Sequence, residues 1–309
     1  MSEYMTIDGG TTNTRVAFVR DGGVLGQVAF AMGARHHRDD PTAYRGRLRE
    51  AILQLAAQWG EFSAVLVSGM LTSEMGLLPL THLVAPIGVQ ELHDGMQKTY
   101  IEDITDKPFY FIPGVKTVGE SYLDVDMMRG EEAELMGLLG EGEGEVLFVL
   151  PGSHSKLISV DAAGRISRIT TMLTGEMAAA LSGHTILSDS VALGDALDEE
   201  ALLAGYRCAL ERGLNEALFK VRVMHTQKGK LPPERYGFFL GCVLCGEVEQ
   251  IRAHQAPTVM VAGQKQLKRA LCRLLEEVCA KRVIAVEDAV AAGAVARGQI
   301  KIFEYGGRS

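Results

Sequence analysis

The sequence predicts an α/β protein in which two similar domains lie around a central cleft. Three hairpin-linked strands followed by a helix occur twice, first from residue 5 and again from residue 146. In both halves the turn between the first two strands is polar and rich in Gly, Ser and Thr. We place the domains at 1–140 and 141–309, with the Gly- and Glu-rich stretch 140–145 as a spacer between them.

Composition and charge narrow the class of protein. The chain has 309 residues, 47% hydrophobic and 23% charged, as in an ordinary soluble globular protein. A formal net charge of -8 argues against nucleic acid as the main partner. Neither a secretory signal nor a membrane-spanning run is recognisable, and the five cysteines form no disulfide-rich pattern. We therefore expect a cytoplasmic protein that binds neither membranes nor nucleic acid, while a homodimer stays open.

In the first half, the strand pair around the first turn is followed by a third strand and then by a helix over 40–59, which Asp40 or Thr42 can cap. Leu48, Ile52 and Leu55 fall on one face of this helix. A short buried strand over 63–70 follows. Next come a helix near 89–104 and a strand over 108–114.

In the second half, strands are predicted over 146–150, 156–160 and 166–172, and a helix begins near Thr174. The elements expected after them are listed in chain order: helices roughly over 199–224 and 234–254, a strand from 258, a helix over 266–278, a strand over 282–286 and a last helix over 288–298 at the interdomain hinge. Cys242 and Cys245 form a CxxC pattern, but no second pair completes a zinc site. We interpret both as small apolar residues of a buried helix.

The two polar turns carry more hydrogen-bond donors than a hairpin needs. Backbone N–H groups and small hydroxyl side chains in a Gly-rich loop are suited to oxyanions such as phosphate. For either turn alone, a decorated hairpin explains the sequence equally well, whereas the repetition favours phosphate binding by a pair of turns. Asp8 precedes the first turn and is the candidate for Mg²⁺, bound through water. The candidate phosphate-binding residues are Gly9, Gly10, Thr11, Thr12 and Asn13 in the first turn and Gly152, Ser153, His154 and Ser155 in the second.

Two carboxylates at the start of a predicted helix are the candidate acid–base groups. A helix beginning near Arg129 places Glu131 and Glu132 toward its apolar side, while Glu134 lies at the edge. A favourable interaction with the helix dipole explains why acidic residues occur at the start of a helix. It does not explain why these two side chains point inward. At the end of the strand over 63–70, Ser68, Gly69 and Met70 lie where ligands of open α/β sheets bind, and we expect the substrate near them.

The chain resembles the superfamily of sugar kinases, actin and heat-shock ATPases. "IDGGTTNTR" is similar to its first phosphate motif, "LPGSHSKLISVD" to its second and "VMVAGQKQ" to its adenosine motif. Within the superfamily it is most similar to the 2-dehydro-3-deoxygalactonokinase family, through "MRGEEAELMGLL", "PGSHSK" and "TTMLTGEMAAALSGHTIL". The resemblance implies two RNase H-like domains. It also implies an ATP- and Mg²⁺-dependent kinase that phosphorylates the 6-hydroxyl of 2-dehydro-3-deoxy-D-galactonate in galactonate catabolism.

The resemblance also implies residue roles. It favours Glu131 as the base, with Glu132 as its rival, and it favours Ala262 and Gly263 as the adenosine contact over a plain strand-to-helix turn. An anionic sugar acid requires a cation, and Arg129 and Lys156 are the candidates.

The sequence departs from the family at three positions. Family members usually carry Gly in place of Thr72 and Trp in place of Leu77 and Leu157, which leaves the exact sugar acid open. Other readings remain: a kinase for another ketodeoxy sugar acid, a phosphohydrolase of the exopolyphosphatase type, or a regulator that binds nucleotide and sugar without catalysis.

Overall fold

The computed structural model describes residues 2–140, 144–191, 194 and 196–307. Residues 141–143 of the predicted spacer lie outside these ranges. The fourteen strands among the described residues are β1 (Glu3–Gly9), β2 (Thr14–Arg20), β3 (Gly23–Phe30), β4 (Ala64–Gly69), β5 (Leu83–Val84), β6 (Gln97–Ile101), β7 (Thr105–Phe111), β8 (Val115–Thr117), β9 (Asp126–Met128), β10 (Val146–Leu150), β11 (Ser155–Val160), β12 (Ile166–Met172), β13 (Thr258–Val261) and β14 (Arg282–Ala285).

Eleven α-helices occur in the same part of the chain, together with short 3₁₀ turns at Met70–Thr72 and Tyr122–Asp124. The helices are α1 (Ala34–Asp39), α2 (Pro41–Trp59), α3 (Val89–Asp94), α4 (Glu131–Leu138), α5 (Thr174–His184), α6 (Glu199–Arg212), α7 (Leu214–Lys228), α8 (Pro232–Ala253), α9 (Lys265–Val278), α10 (Asp288–Ala292) and α11 (Ala294–Phe303). No helix within the described ranges is both long and apolar enough to cross a membrane.

The chain forms two compact units, each with its own hydrophobic core. Unit 1 contains residues 1–144, 161–169 and 289–309, and unit 2 contains 145–160 and 170–288. This division differs from the continuous ranges 1–140 and 141–309 expected from the sequence. Residues 161–169 and 289–309 cluster with unit 1, so the second continuous range does not correspond to one compact unit.

The main sheet of unit 1 has the strand order β3-β2-β1-β4-β7-β6. β1 pairs antiparallel with β2 and parallel with β4, and β4 pairs parallel with β7. Because β1 and β4 are nearly continuous runs of buried residues, both lie in the interior of the sheet. The helix α2 covers it with Leu48, Ile52 and Leu55, and Asp40 caps the helix by accepting the Ala43 N–H at 3.0 Å.

The five-stranded sheet has the order β12-β11-β10-β13-β14, which repeats the first five positions of the other sheet. β10 is antiparallel to β11 and parallel to β13, and β13 is parallel to β14. The predicted α/β class and the repeated three-strand-and-helix pattern are therefore confirmed. The first polar turn follows the carboxyl end of β1 in one sheet, and the second follows the carboxyl end of β10 in the other. The two turns therefore occupy the same topological position.

Helix α11 belongs to unit 1 because small residues allow it to pack closely on α4. A Cβ atom added to Gly298 would lie 1.7 Å from the carbonyl oxygen of Ala133, and one added to Gly137 would lie 1.9 Å from that of Ala294. The two backbones are thus in direct contact, which only glycine permits. Gln299 on the same helix is fully buried and reaches the main sheet of unit 1.

Three predicted helices were wrong in extent. The helix near 89–104 ends at Asp94, because the β-branched and aromatic residues after Gly95 form β6 and pair with β7. The helix over 199–224 breaks at Gly213, whose φ is +80°. The last helix over 288–298 is divided into α10 and α11 at Gly293.

Cys242 and Cys245 are buried on α8 and have free thiols. Burial raises the pKa of both thiols, more strongly for Cys242. The interpretation as small apolar helix residues is confirmed.

Candidate active site

The first polar turn is held in shape by its own backbone. The Gly10 N–H donates to the Asn13 carbonyl at 2.8 Å, and the carbonyls of Gly10 and Thr11 accept N–H groups at the start of α1. Within the described chain, no group accepts a hydrogen bond from the N–H of Thr11 or Thr12. The turn therefore presents two backbone donors on a fixed loop, an arrangement that suits a phosphate oxygen.

Asp8 lies at the end of β1, directly before this turn. Its side chain is 25% exposed and its Oδ2 accepts from Arg15 Nη1 at 3.1 Å. Burial raises the pKa of Asp8, the Arg15 guanidinium opposes that rise, and the charge of Glu131 adds to it. Burial, followed by the charges of Asp8 and Glu131, raises the pKa of Glu134 to about 7. Three carboxyl groups from β1 and α4 thus share one electrostatic neighbourhood.

Close glycine contacts bring these two elements together. A Cβ on Gly69, at the end of β4, would lie 2.5 Å from the Gly9 carbonyl oxygen. A Cβ on Gly130, just before α4, would lie 3.2 Å from the Cα of Gly69. Both residues have positive φ, +82° and +115°, which side chains disfavour. The ends of β1 and β4 and the start of α4 therefore meet backbone to backbone.

Glu131 and Glu132 differ in exposure. Glu132 is fully buried and both of its carboxyl oxygens accept the Gly130 N–H at 2.8 Å. Burial, and then the charge of Glu131, raises the pKa of Glu132 to about 8. Glu131 is only half-buried and accepts the Arg129 N–H at 2.9 Å. Near neutral pH, Glu132 is therefore largely a buried neutral acid, and Glu131 is the more accessible carboxylate.

The guanidinium group of Arg129 donates hydrogen bonds to other residues of the protein. Its Nη1 donates to the carbonyl and the hydroxyl of Thr72, both at 2.6 Å, and its Nη2 donates to the Leu80 carbonyl at 3.0 Å and to His82 Nδ1 at 3.2 Å. The Thr72 hydroxyl in turn donates to the Gly69 carbonyl at 3.0 Å. Arg129 thus anchors the loop over 70–82, which is a different task from gripping a substrate carboxylate directly.

Ser68 also faces inward. It is fully buried, and its Oγ accepts from Gln299 Nε2 at 2.8 Å, while the same amide group donates to the Ile7 carbonyl at 2.8 Å. The Gln299 amide thus links β1 and β4 to α11, and the Ser68 hydroxyl is not available to a substrate. Gly69 and Met70 remain candidates through their position after the strand, where Met70 is half-buried.

The second polar turn lies in unit 2 and is held by α5. The N–H groups of Gly175 and Glu176, in the first turn of α5, donate to the carbonyls of Gly152 and Ser153 at 3.1 Å. In the described part of the chain, the N–H groups of Ser153 and His154 have no acceptor. As in the first turn, two adjacent backbone donors remain for an anion.

The side chains of this turn divide into inward and outward groups. Ser155 is fully buried and its hydroxyl accepts the Gly152 N–H at 3.4 Å, so it shapes the turn instead of facing a ligand. His154 is half-exposed, with its Nε2 3.0 Å from Glu176. Lys156 is 6% exposed and donates from Nζ to the Thr171 hydroxyl at 2.6 Å. Lys156 is thus placed inside unit 2, as a structural group.

Glu247, on α8, supports the second turn from behind. It is fully buried and its Oε2 accepts from the Thr174 hydroxyl at 2.6 Å, at the first residue of α5. Burial raises the pKa of Glu247, and hydrogen bonds from the Thr174 and Ser155 hydroxyls oppose the rise. Its other oxygen, Oε1, is buried without a hydrogen-bond partner among the described residues. One carboxyl group therefore connects α8, α5 and the turn.

The proposed adenosine contact adjoins the same turn. Gly263 has a φ of +89°, and a Cβ there would lie 2.7 Å from the Pro151 carbonyl oxygen. The Ala262 N–H donates to the Val149 carbonyl at 2.9 Å. Glycine at position 263 is thus required by the local backbone geometry.

Two acidic side chains near the candidate residues were not selected from the sequence. Glu134 counted as an edge residue, because helical periodicity alone does not reveal the facing Asp8. Glu247 lies some 90 positions from the turn that it supports, and its only signal was an acid next to the apolar run of α8.

No group of three or more His, Cys, Asp or Glu side chains in the described ranges is arranged to enclose a metal ion. Mg²⁺ usually keeps several waters and binds proteins through one or two carboxylates. Asp8, whose side chain is 25% exposed and lies directly before the first turn, is the candidate carboxylate for such an ion.

Comparison with known proteins gives a consistent result. A model of the family described as 2-keto-3-deoxy-galactonokinase matches residues 8–297. A curated relative from Rhizobium meliloti (strain 1021), described as a probable 2-dehydro-3-deoxygalactonokinase, is 29% identical over 194 residues, which are 62% of this chain and 60% of that protein. The match therefore spans about three fifths of the length of the curated relative.

A solved structure has the same fold. It is a protein from Sinorhizobium meliloti, described provisionally as a 2-dehydro-3-deoxygalactonokinase, with a TM-score of 0.81 and 24% sequence identity. The superposition covers 99% of this chain and 100% of that one. The fold is thus shared along nearly the full length of both chains.

Proposed function

The chain belongs to the 2-keto-3-deoxy-galactonokinase family, and we propose that it is an ATP-dependent kinase for the 6-hydroxyl of 2-dehydro-3-deoxy-D-galactonate in galactonate catabolism. The observation that carries the proposal is that Asp8 and the free Thr11 and Thr12 N–H groups follow one another at the end of β1, while the charge of Glu131, at the start of α4, acts on Asp8. These groups supply a cation-binding carboxylate, a base and an anion-binding turn. The reaction requires all three.

In this mechanism Glu131 accepts the proton of the acceptor hydroxyl. The hydroxyl oxygen forms a bond to the γ-phosphorus of ATP, and the bond from that phosphorus to the β-phosphate oxygen breaks to release ADP. Glu131 suits the base role because it is partly exposed and next to Asp8, whereas Glu132 is buried and largely protonated. The Arg129 N–H steadies the Glu131 carboxylate at 2.9 Å.

Backbone donors hold the nucleotide. In unit 1, the free N–H groups of Thr11 and Thr12 would bind phosphate oxygens. In unit 2, taken by itself, the N–H groups of Ser153 and His154 are candidates for phosphate oxygens and Gly263 is a candidate for the adenosine. Asp8 would hold Mg²⁺ through water, and the ion would neutralise charge on the phosphates. Five free cysteines are compatible with a reducing cytoplasm, where we place the enzyme.

The experiment is a screen of sugar acids for ADP release with ATP and Mg²⁺. We expect release with 2-dehydro-3-deoxy-D-galactonate and weaker release with ketodeoxy sugar acids of other stereochemistry. Equal phosphate release from ATP with and without sugar would instead indicate a phosphohydrolase. No sugar-dependent ADP with any acid would contradict the kinase assignment.

A further inference from the structure

The small three-stranded sheet of unit 1, β5-β8-β9, carries basic side chains on one face. Lys116 on β8 is in register with Val84 of β5 and with Met127 of β9. Because side chains alternate along a strand, His82 falls on the face of Val84, and Arg129 falls on the face of Met127. The sheet register therefore brings His82, Lys116 and Arg129 to the same face.

Direct contacts support this placement. Arg129 Nη2 lies 3.2 Å from His82 Nδ1, and the Ala85 N–H donates to the Lys116 carbonyl at 2.9 Å. Gly114, directly before β8, lies beside His82, and a Cβ there would lie 2.8 Å from His82 Cδ2. The missing side chain leaves the space that the imidazole fills.

Arg129 fixes the tautomer of His82. A guanidinium group only donates, so Nδ1 must accept and the ring proton must reside on Nε2. Burial, together with the charges of Arg129 and Lys116, lowers the pKa of His82 to about 4, so the ring is neutral at physiological pH. In the ranges that the structure describes, no acceptor satisfies the Nε2–H group.

Lys116 lacks an acidic partner as well. It is half-buried, and no carboxylate of the described chain lies within ion-pair distance of its Nζ. The neighbouring acids, Glu74 and Glu132, act on Arg129. Lys116 therefore carries a positive charge without an acidic partner within ion-pair distance in the described chain, which suits the binding of an anion.

We propose that Lys116 and the Nε2–H group of His82 bind the carboxylate of the sugar-acid substrate, with Arg129 as the positioning residue that orients His82. This proposal rests on the proposed kinase function and names the part of unit 1 that recognises the acid. Arg129 directly precedes Gly130 and Glu131, so the acid group would be anchored beside the candidate base. A charged contact from Lys116 combined with a neutral donor matches a carboxylate, which accepts at both oxygens.

The test is calorimetric binding of 2-dehydro-3-deoxy-D-galactonate, and of its C1 carboxamide analogue, to the wild-type protein and to Lys116→Met. We expect the substitution to weaken binding of the acid by about 10- to 100-fold and to leave the affinity for the neutral analogue nearly unchanged. His82→Leu should weaken acid binding in the same direction, whereas His82→Gln, which can both accept and donate, should retain part of it. The affinity for ATP should stay within about 3-fold in every variant.

Lys98→Met is the matched control, because Lys98 is an exposed lysine of β6 that lies over Tyr100 and Tyr110. It should bind the acid like the wild type, and thermal melting should show that all variants fold. If the wild type binds the acid and Lys116→Met binds it equally well, the carboxylate site is overturned while the kinase proposal stands. If the wild type binds no sugar acid at all, both are overturned.

Discussion

Glu131 and Glu132 are neighbours in the chain, yet one is half-buried and the other fully buried, and we propose different tasks for them. Glu131→Gln should lower kcat by about 10²- to 10⁴-fold, because it removes the proton acceptor, while the KM for ATP stays within a few-fold. Glu132→Gln should keep most of the activity, since an amide oxygen can still accept the Gly130 N–H. Steady-state kinetics of the two variants check this. A larger loss in Glu132→Gln than in Glu131→Gln would reverse the assignment.

The buried acid Glu132 also predicts how stability varies with pH. Its pKa is about 8 in the folded protein and about 4.5 in an unfolded chain, so between these values the folded state holds a proton that the unfolded state has released. Stability should therefore fall as pH rises through this window, by up to about 1.4 kcal/mol per pH unit from this group.

The measurement is the free energy of unfolding of the wild type and Glu132→Gln at pH 5.5 and 7.5. The free energy of unfolding of Glu132→Gln, relative to that of the wild type, should be higher at pH 7.5 than at pH 5.5. Glu50→Gln, at an exposed residue of α2, is the control and should show no such shift. A difference between wild type and Glu132→Gln that is independent of pH would show that Glu132 is ionised in the folded protein.

At the scale of elements, Glu247 joins α8 to the start of α5 and the second turn. Glu247→Ala leaves the buried Thr174 hydroxyl without its acceptor, at a cost of about 1–3 kcal/mol, and frees the turn to move. We expect the KM for ATP to rise about 10-fold while the KM for the sugar acid changes little. Ser182→Ala, which removes a hydrogen bond within α5, is the control. Equal effects on both KM values would point to general destabilisation.

The contact of α11 with α4 is an element-scale prediction of stability. Gly298→Val would force the two backbones apart, because even a Cβ would lie 1.7 Å from the Ala133 carbonyl oxygen. We expect the melting temperature to fall by at least about 5 °C, which corresponds to a destabilisation of more than 1 kcal/mol. Gly46→Ala, in α2 with open space around it, should instead leave stability unchanged or raise it. An unchanged melting temperature in Gly298→Val would contradict the close packing.

Across the whole molecule, the sequence predicted the class and order of elements best where a pattern was local. The repeated strand and helix pattern, the Asp40 cap and the burial of Cys242 all follow from spacing within a few residues. Tertiary partners could not be read in this way. The strand β6 was mistaken for helix because its pairing with β7 outweighs its helical spacing.

The candidate site shows the same limit. Asp8 and Glu131 were selected from the sequence for separate roles, and the charge of Glu131 acts on Asp8 in the fold, while the roles themselves stay predictions. The sequence did not reveal that Ser68, Ser155 and Lys156 face inward, because hydroxyl and ammonium groups suit a ligand and a buried hydrogen bond equally well. Arg129 was expected at the substrate, but its donors are directed to Thr72, Leu80 and His82.

The most direct test of the central claim is identification of the product by phosphorus–proton correlation NMR. The purified protein is incubated with ATP, Mg²⁺ and 2-dehydro-3-deoxy-D-galactonate, and the site of phosphate attachment is read from the coupling to sugar protons. Kinase function predicts one new phosphomonoester coupled to the protons at C6, formed in step with ADP and strongly reduced in Glu131→Gln. Inorganic phosphate as the sole new phosphorus species besides ADP would contradict it.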